Sequence, residues 1–347
     1  MKSLFLCLAL SLPAVSWGHG VPNDSILKSE QTQLRKDVLN EASALLGLFE
    51  DKSQILKAFE SKERSAWTNL PVGIVPRGGV SIGAMNEIQR IQLHRLLSSV
   101  LSAQGYLKTT GVMHLDNILE RYFNIPRLKW SHKAYYFTFW GQPDAEKAWG
   151  FKLEGHHLSL NFTFHDLQIH AQPMFLGSDP AEIRESEYAG WRVFGEEEDL
   201  GFRLLASLNN QQQQQAILER EVPEDILTNP NSSQRLSEYW GLAAKSMNAR
   251  QRYHLMAIVN EYLNNLEAPL AEAIRSQLDE KAIDAIHFAW IGATARGDRY
   301  YYLIHSPRFI IEFDNHDNHV HTIWRDKAND FGGDALKAHL QHSEHHQ

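Results

Sequence analysis

The chain has 347 residues and a formal charge of −8 at pH 7, and 43% of its residues are hydrophobic. That length and composition suffice for a large buried core in two domains or one large domain. An acidic chain without a basic stripe has nothing to neutralise phosphates, so nucleic acid is excluded as an expected partner. The one cysteine, Cys7, lies in the first segment, so any metal site farther along must use nitrogen and oxygen ligands.

The first residues have the pattern of a secretory signal. Lys2 precedes an apolar run that extends to Val15 and ends in small residues. This run is too short to span a bilayer, and no later segment reaches the roughly 18 apolar residues that a span requires. We therefore expect a signal peptide at residues 1–18, cleavage after Ser16 or Gly18, and export to the periplasm or extracellular space without membrane insertion.

The next segment has the spacing of helices. Apolar residues at helical intervals predict a helix from Ser25 to about Glu63, followed by a Pro/Gly-rich ordered loop from Trp67 to Gly83. A second helix is predicted to open at Asn86, whose side chain can cap the backbone amide near Gln89.

Two blocks of strands are separated by a long helical block. Aromatic and alternating residues predict strands from Ala134 to Met174 and again from His287 to Trp324. Between them, helices are predicted from about Pro180 to Asp284, with a turn at residues 228–233. The sequence therefore predicts an α+β fold.

The two strand blocks look like copies of one another, with chance similarity between hairpins as the alternative. We interpret them as an internal duplication: two pseudo-symmetric helix plus antiparallel β-meander units packed together, at residues 19–178 and 179–334, followed by a His-rich tail at 335–347. A site is expected where the two units face each other. The pairs at an offset of 151 include Phe137 with Phe288, Gly141 with Gly292, Leu153 with Ile304 and Phe162 with Phe313, and at an offset of 162 Asn86 with Asn248.

Ionisable residues concentrate near the end of the second strand block. Glu312 and Asp314 lie two residues apart on one strand and would repel each other unless a cation lies between them. His319 and His321 face the same side of an extended chain, so both imidazoles can reach one metal ion. His156 or His157 from the first half can complete a set with these histidines and a carboxylate.

A structural alternative exists for the same residues. Glu312 and Asp314 would then pair with Arg308 and Arg325 in a buried salt-bridge network, while the histidines cap turns.

Motifs spread along most of the chain are typical of one family. They are Trp67-Thr68-Asn69-Leu70-Pro71, Leu115-Asp116, Tyr135-Tyr136-Phe137, Glu154-Gly155-His156-His157-Leu158-Ser159-Leu160-Asn161, Phe175-Leu176-Gly177, Glu197-Glu198-Asp199-Leu200, Pro307-Arg308-Phe309, Glu312-Phe313-Asp314-Asn315, His319-Val320-His321, Trp324-Arg325-Asp326 and Asp330-Phe331-Gly332. On these motifs the chain resembles the bacterial family catalogued as Domain of Unknown Function 3500. The resemblance implies a set of positions but no reaction.

The leading hypothesis is an exported metalloprotein, in its enzyme version a metal-dependent hydrolase. The metal ligands would be His156 or His157, together with His319, His321 and either Glu312 or Asp314, holding a divalent ion of the zinc, iron or copper type.

In this enzyme version three further residues act on the substrate. The carboxylate not bound to metal, Asp314 when Glu312 is the ligand, would act as the general base, and Arg325 or Arg308 would hold an anionic substrate group.

The second hypothesis is a non-catalytic periplasmic protein that binds a small molecule or a metal. A cleft between the halves would hold the ligand through Arg308, Glu312 and aromatic walls such as Trp140 and Trp149. In a weaker version, the His-rich tail would collect metal ions.

Overall fold

A computed structural model describes residues 24–165, 167–230 and 236–333. The expected signal peptide at residues 1–18 and the His-rich tail at residues 335–347 lie outside the described residues. Within them, no helix combines the length and the apolar character needed to cross a membrane.

The described residues contain eight α-helices and five short 3-10 turns. The α-helices are α1 (Asp24–Gly47), α2 (Glu87–Val100), α3 (Ala103–Phe123), α4 (Gly195–Ser207), α5 (Asn210–Ala216), α6 (Ala249–Leu263), α7 (Ala268–Arg275) and α8 (Glu280–Asp284). The 3-10 turns span Lys62–Arg64, Ile82–Ala84, Pro126–Leu128, Ala244–Ser246 and Asp330–Gly332.

The first helix is shorter than the sequence predicted. It ends at Gly47, and the expected continuation to Glu63 is wrong. The Asp51 side chain accepts a hydrogen bond from the backbone amide of Ser53 at 2.9 Å. Such a local bond to the side chain turns the chain instead of continuing a helix.

The predicted cap at Asn86 is confirmed. Asn86 and Gln89 form a reciprocal capping box at the start of α2. Asn248 and Gln251 form the same arrangement at the start of α6. Each box satisfies two amides that would otherwise lack partners in the first turn.

Twelve strands of the described residues form one sheet, which is antiparallel except between its first strand and its third. The strands are β1 (Leu56–Lys57), β2 (Val80–Ser81), β3 (Tyr136–Trp140), β4 (Trp149–Gly155), β5 (Leu158–His165), β6 (Gln168–His170), β7 (Met174–Ser178), β8 (Leu242–Ala243), β9 (His287–Gly292), β10 (Tyr300–His305), β11 (Phe309–His316) and β12 (His319–Asp326). They are ordered β1-β3-β4-β5-β7-β12-β11-β10-β9-β8, with β2 beside β3 and β6 beside β5. The predicted α+β class is confirmed.

One strand that the sequence analysis missed joins the two strand blocks. β7 pairs with β5 on one side and with β12 on the other. The predicted block ended at Met174, because Met174–Ser178 is short, contains Gly177 and shows no alternation. Strands buried on both faces have this continuous character.

The two faces of the sheet differ in chemistry. One face is aromatic and aliphatic and packs beneath helices α1, α2, α4 and α6 in the main core. The other face carries most of the buried polar side chains of the strands. It is covered by residues 48–79, which include β1 and the 3-10 turn Lys62–Arg64, and by the irregular residues 217–230. The helix predicted across residues 217–227 is wrong, since only irregular chain follows α5 there.

We expect Asn248→Ala to lower the free energy of unfolding by about 1 kcal/mol, because it removes the side-chain acceptor of the α6 capping box. Urea denaturation measures this change. Gln214→Ala is the control, because Gln214 is exposed within α5. Equal stability of the two variants would contradict the role given to the cap.

Candidate metal centre

A tight turn places two histidines on one face at the start of β12. Asp317 and Asn318 have positive φ values of 54° and 70° and connect β11 to β12. Two-residue hairpin turns of this kind match the twist of the flanking strands and favour Asn and Asp. Because strand side chains alternate, His319 and His321 point to the same face, which is the polar face of the sheet.

A second turn supplies a histidine from the other strand block. His157 lies between β4 and β5 with a φ of 58°, and its side chain is buried. Its carbonyl oxygen accepts a hydrogen bond from the amide of Gly177 on β7 at 2.8 Å. Gly177 is the direct partner of His321 across the β7–β12 pair. The backbone therefore brings His157 to the β12 histidines.

The three imidazoles converge through the same ring nitrogen. The Nε2 atom of His319 lies 2.7 Å from Nε2 of His157 and 3.1 Å from Nε2 of His321. A tetrahedral ion with metal–nitrogen bonds of about 2.0 to 2.1 Å holds its ligand nitrogens roughly 3.3 Å apart. A small outward shift of the rings therefore gives the spacing of a three-histidine metal site. We call His157, His319 and His321 the histidine triad.

Burial keeps two members of the triad neutral at physiological pH. Burial first, and then neighbouring histidines, lowers the pKa of His157 well below its usual value and that of His319 to about 3. A neutral imidazole offers a nitrogen lone pair, which is the form that binds a metal.

The third member is oriented by a carboxylate. Nδ1 of His321 lies 2.7 Å from Oδ1 of Asp225, and Asp225 is itself held by the side chain of Asn69 and the amide of Ile226, each at 2.8 Å. With its Nδ1 proton directed to Asp225, His321 presents the Nε2 lone pair to the other histidines. Burial by itself lowers the pKa of His321. The hydrogen bond to Asp225 and the negative charges of nearby carboxylates, of which Asp314 has the largest effect, outweigh burial, so the pKa of His321 is raised.

Sequence reasoning missed Asp225. It lies in residues 217–230, which were predicted to be mainly helical, and a lone aspartate between Glu224 and Ile226 gives no pattern of its own. Its role follows only from the way this segment crosses the polar face of the sheet.

A second carboxylate increases the negative charge behind the triad. Oδ1 of Asp314 accepts a hydrogen bond from the amide of His321 at 3.0 Å, while its buried Oδ2 has no hydrogen-bond partner. Burial, together with the nearby charge of Asp225, raises the pKa of Asp314 to about 7, against the influence of His321. Asp225, Asp314 and His321 form a second group with metal-ligand spacing. Buried carboxylates at this position favour a cation beside them.

Glu312 is engaged elsewhere. Its carboxylate accepts hydrogen bonds from the amides of Leu227 and Thr228, from the Thr228 hydroxyl, and from the Tyr301 hydroxyl at 2.8 Å. The structure does not bring Glu312 into the triad. Its hydrogen bonds hold residues 227–228 against β11.

His156 lies beside the triad and faces a different partner. Its Nδ1 is 2.7 Å from Oδ1 of Asp116, whose second oxygen accepts a hydrogen bond from the Tyr135 hydroxyl at 2.9 Å. The His156 ring stacks on the His157 ring with centroids 3.6 Å apart. His156 therefore supports the ring of His157 without joining the three converging nitrogens.

The two predicted arginines lie away from the triad. Arg308 is exposed at the start of β11. Arg325 shares a strand face with His321 but is four residues farther along, about 13 Å away, and pairs with Asp330 at 3.0 Å. Among the described residues neither arginine forms an ion pair with Glu312 or Asp314, so the alternative salt-bridge network is not formed.

The two tryptophans predicted to form the walls of one cleft lie on opposite faces of the sheet. Trp149 lies in the main core, where its ring stacks on Phe164 at a centroid distance of 4.1 Å. Trp140 lies on the opposite face and lines a cavity beside β4.

A protein-family model described as "Protein of unknown function (DUF3500)" matches residues 31–333. The chain belongs to this family. The matched range of this DUF3500 protein includes the triad, Asp225 and Asp314. No curated protein and no solved structure matches the chain.

The DUF3500 sheet has room for the triad because β7 carries a glycine opposite His321. A Cβ atom on Gly177 would lie 2.8 Å from the carbonyl oxygen of Val320, 3.0 Å from Cδ2 of His321 and 3.2 Å from Cβ of His157. The first of these distances is too short for a real contact, so the strand pair must shift.

We expect Gly177→Ala to lower the free energy of unfolding by roughly 1 to 3 kcal/mol through overpacking, and to change the NMR shifts of the His157 and His321 rings. Gly47→Ala is the matched control, because nothing lies within 4 Å of the added Cβ. If both variants were equally stable with native ring shifts, the requirement for glycine would be refuted.

Proposed function

We propose that this DUF3500 protein is an exported metalloprotein that holds one divalent cation on the histidine triad. One observation carries the proposal: three Nε2 atoms from two different strand blocks converge, two of them on imidazoles that burial keeps neutral. Export is supported by the sequence of residues 1–18.

The hydrogen bonds that the three ring nitrogens of the triad can form support a bound metal. An Nε2–Nε2 contact is favourable only when a proton lies between the two nitrogens. The Nε2 atom of His319 carries either one proton or one lone pair, so it can form only one good hydrogen bond. It nevertheless lies against the Nε2 atoms of both other histidines. A cation among the nitrogens satisfies all three lone pairs at once.

The ligand set favours an ion of the zinc, iron or copper type. Imidazole suits these metals, whereas magnesium and calcium prefer oxygen. The pairing of His321 with Asp225 is the usual support of a metal-bound histidine, in which a carboxylate fixes the ring and increases its basicity.

We propose metal-dependent hydrolysis as the reaction class. His157, His319 and His321 would hold the ion and leave a position for water, and the ion would supply a lowered pKa for that water, about 7 in such sites. The chain contributes the orientation of His321 through Asp225 and the packing of His157 against Gly177. Asp314 supplies buried negative charge next to His321. The proposed centre needs neither Arg308 nor Arg325.

We also propose that the two halves, residues 19–178 and 179–334, arose by duplication. The support is the register of the hairpins, which coincides at the offset of 151 residues found in the sequence. In the first half Tyr136 lies opposite Glu154, and in the second half His287 lies opposite His305. Likewise, Trp149 lies opposite Phe164, and Tyr300 lies opposite Asn315. The short strands β2 and β8 also pair alike, Val80 with Phe137 and Leu242 with Phe288.

Elemental analysis of the full chain, purified without an affinity tag, tests the metal. We expect one zinc, iron or copper ion per chain, and its loss in His157→Ala, His319→Ala and His321→Ala. His254→Ala is the control, because His254 lies on α6 away from the triad. All variants keep the C-terminal histidines, so any difference comes from the triad.

The same samples test the reaction class. p-Nitrophenyl acetate and p-nitrophenyl phosphate serve as probes, and turnover is expected from the loaded protein but not from His319→Ala. Absence of a stoichiometric ion, or an unchanged ion content in all three triad variants, rejects the metal. Bound metal without turnover of either probe rejects hydrolysis of these ester classes and leaves a metal-binding protein.

We expect Asp225→Asn to weaken metal affinity roughly 10- to 100-fold, because the His321 ring loses its charged partner while the shape of the side chain is kept. Competition with a fluorescent chelator measures the affinity. Asp298→Asn, at an exposed position between β9 and β10, is the control. Native affinity in Asp225→Asn would show that the carboxylate does not support the centre.

A further inference from the structure

A cavity of about 470 Å³ opens on the polar face of the sheet beside β3 and β4. Its volume falls within the range of small-molecule sites, roughly 300 to 1,000 Å³. We call it the tryptophan cavity. The lining side chains used below are Lys57, Glu63, Trp67, Arg77, Trp140 and Glu154.

Two indole rings form its aromatic walls. Trp140 is almost fully buried, and its Nε1 donor has no hydrogen-bond partner. The Lys152 ammonium lies 5.5 Å from the Trp140 ring centroid, and the Arg325 guanidinium lies 5.8 Å from that of Trp67. Each ring therefore already has a protein cation beside it, which reduces its attraction for a cationic ligand.

A buried carboxylate supplies the acceptor. Glu154 is 7% exposed, and its oxygens lie 3.7 Å from Nε of Arg77 and from Nζ of Lys152. Both separations exceed an ordinary hydrogen bond. Lys152 directs its ammonium to the carbonyl oxygens of Glu63 and Ala66. The Glu154 carboxylate therefore keeps acceptor capacity for a ligand.

A donor, Nε of Arg77, lies next to this acceptor. Arg77 donates through its terminal nitrogens to the carbonyl oxygens of Val75, Thr68, Leu70 and Gly155. These bonds fix the guanidinium in place, while its buried Nε has no hydrogen-bond partner. An unpaired buried donor is costly, and a ligand hydroxyl would remove that cost.

The charges of the lining decide the class of ligand. Lys57 and Arg77 balance Glu63 and Glu154. A cationic ligand meets the two lining cations and Lys152 as well, and an anionic ligand meets two carboxylates. A neutral ligand with several hydroxyl groups and an apolar face meets neither repulsion.

We propose that the tryptophan cavity binds a neutral sugar of one or two rings. The apolar C–H face of the sugar packs against an indole. Its hydroxyl groups donate to Glu154 and accept from Nε1 of Trp140 and Nε of Arg77, so that each of these groups gains a hydrogen bond. This inference does not rest on the metal, because the cavity and the triad share no residue.

The two sites are nevertheless neighbours. The ring of Trp67 lies 4.9 Å from that of Phe175, and Phe175 lies 5.4 Å from the ring of His321. Two aromatic side chains, the cavity wall Trp67 and then Phe175, therefore connect the cavity to the triad.

Isothermal titration of the full chain with glucose, N-acetylglucosamine, maltose and cellobiose tests the proposal, with choline and citrate as charged probes. We expect at least one neutral sugar to bind, and Glu154→Gln and Trp140→Phe each to weaken it tenfold or more. Glu60→Gln, at an exposed carboxylate outside the cavity, should bind as the native protein does. Urea denaturation of each variant separates loss of binding from loss of folding.

His319→Ala should retain sugar binding, which separates this proposal from the metal centre. Binding of only choline or citrate, or of no probe at 20 mM, would overturn the assignment to neutral sugars. Sugar binding that is lost in His319→Ala but kept in Glu154→Gln would place the ligand at the triad and overturn the assignment to the cavity.

Discussion

The antiparallel pairing of β7 with β12 is the contact on which the rest of the arrangement depends. It joins two strand blocks into one sheet and sets Gly177 directly opposite His321. Because the Gly177 amide also binds the carbonyl of His157, a single peptide unit fixes both contributors to the triad. The converging nitrogens are therefore positioned by backbone hydrogen bonds, which resist displacement better than contacts between flexible side chains.

The sheet separates two kinds of interior. Aromatic and aliphatic residues fill the face beneath the helices, where hydrophobic burial favours folding without any need for hydrogen bonds. The opposite face buries Lys152, Glu154, Glu312 and Asp314 beneath irregular segments. Burying such groups is costly unless they find partners. Both candidate sites lie on this face, where a few polar atoms keep unused bonding capacity.

Much of the fold was readable from periodicity, because alternation and helical spacing depend only on local geometry. The two meanders and the capped helix that begins after Asn86 follow from patterns within a few residues. The end of α1 at Gly47 and the irregular path of residues 217–230 were not readable in this way. A local hydrogen bond at Asp51 turns the chain after α1, and the path of residues 217–230 follows from its packing on the polar face of the sheet.

The candidate site was predictable in part for the same reason. The shared face of His319 and His321 follows from strand alternation, and His157 was one of two neighbouring choices. Which of His156 and His157 joins the triad depends on the conformation of the turn between β4 and β5. The contact of Asp225 with the His321 ring depends on tertiary packing. Glu312 and Asp314 looked equivalent in sequence, but only the structure shows that one binds the crossing segment while the other keeps an unpaired oxygen.

The anchoring of residues 227–228 by Glu312 reaches farther than its own contacts. Asp225 lies just two residues before the anchored amides, on the same short stretch of chain. Glu312 contacts no histidine, yet it holds in place the segment that carries Asp225, the partner of the His321 ring. The orientation of that ring is therefore coupled through the main chain to a side chain outside the triad.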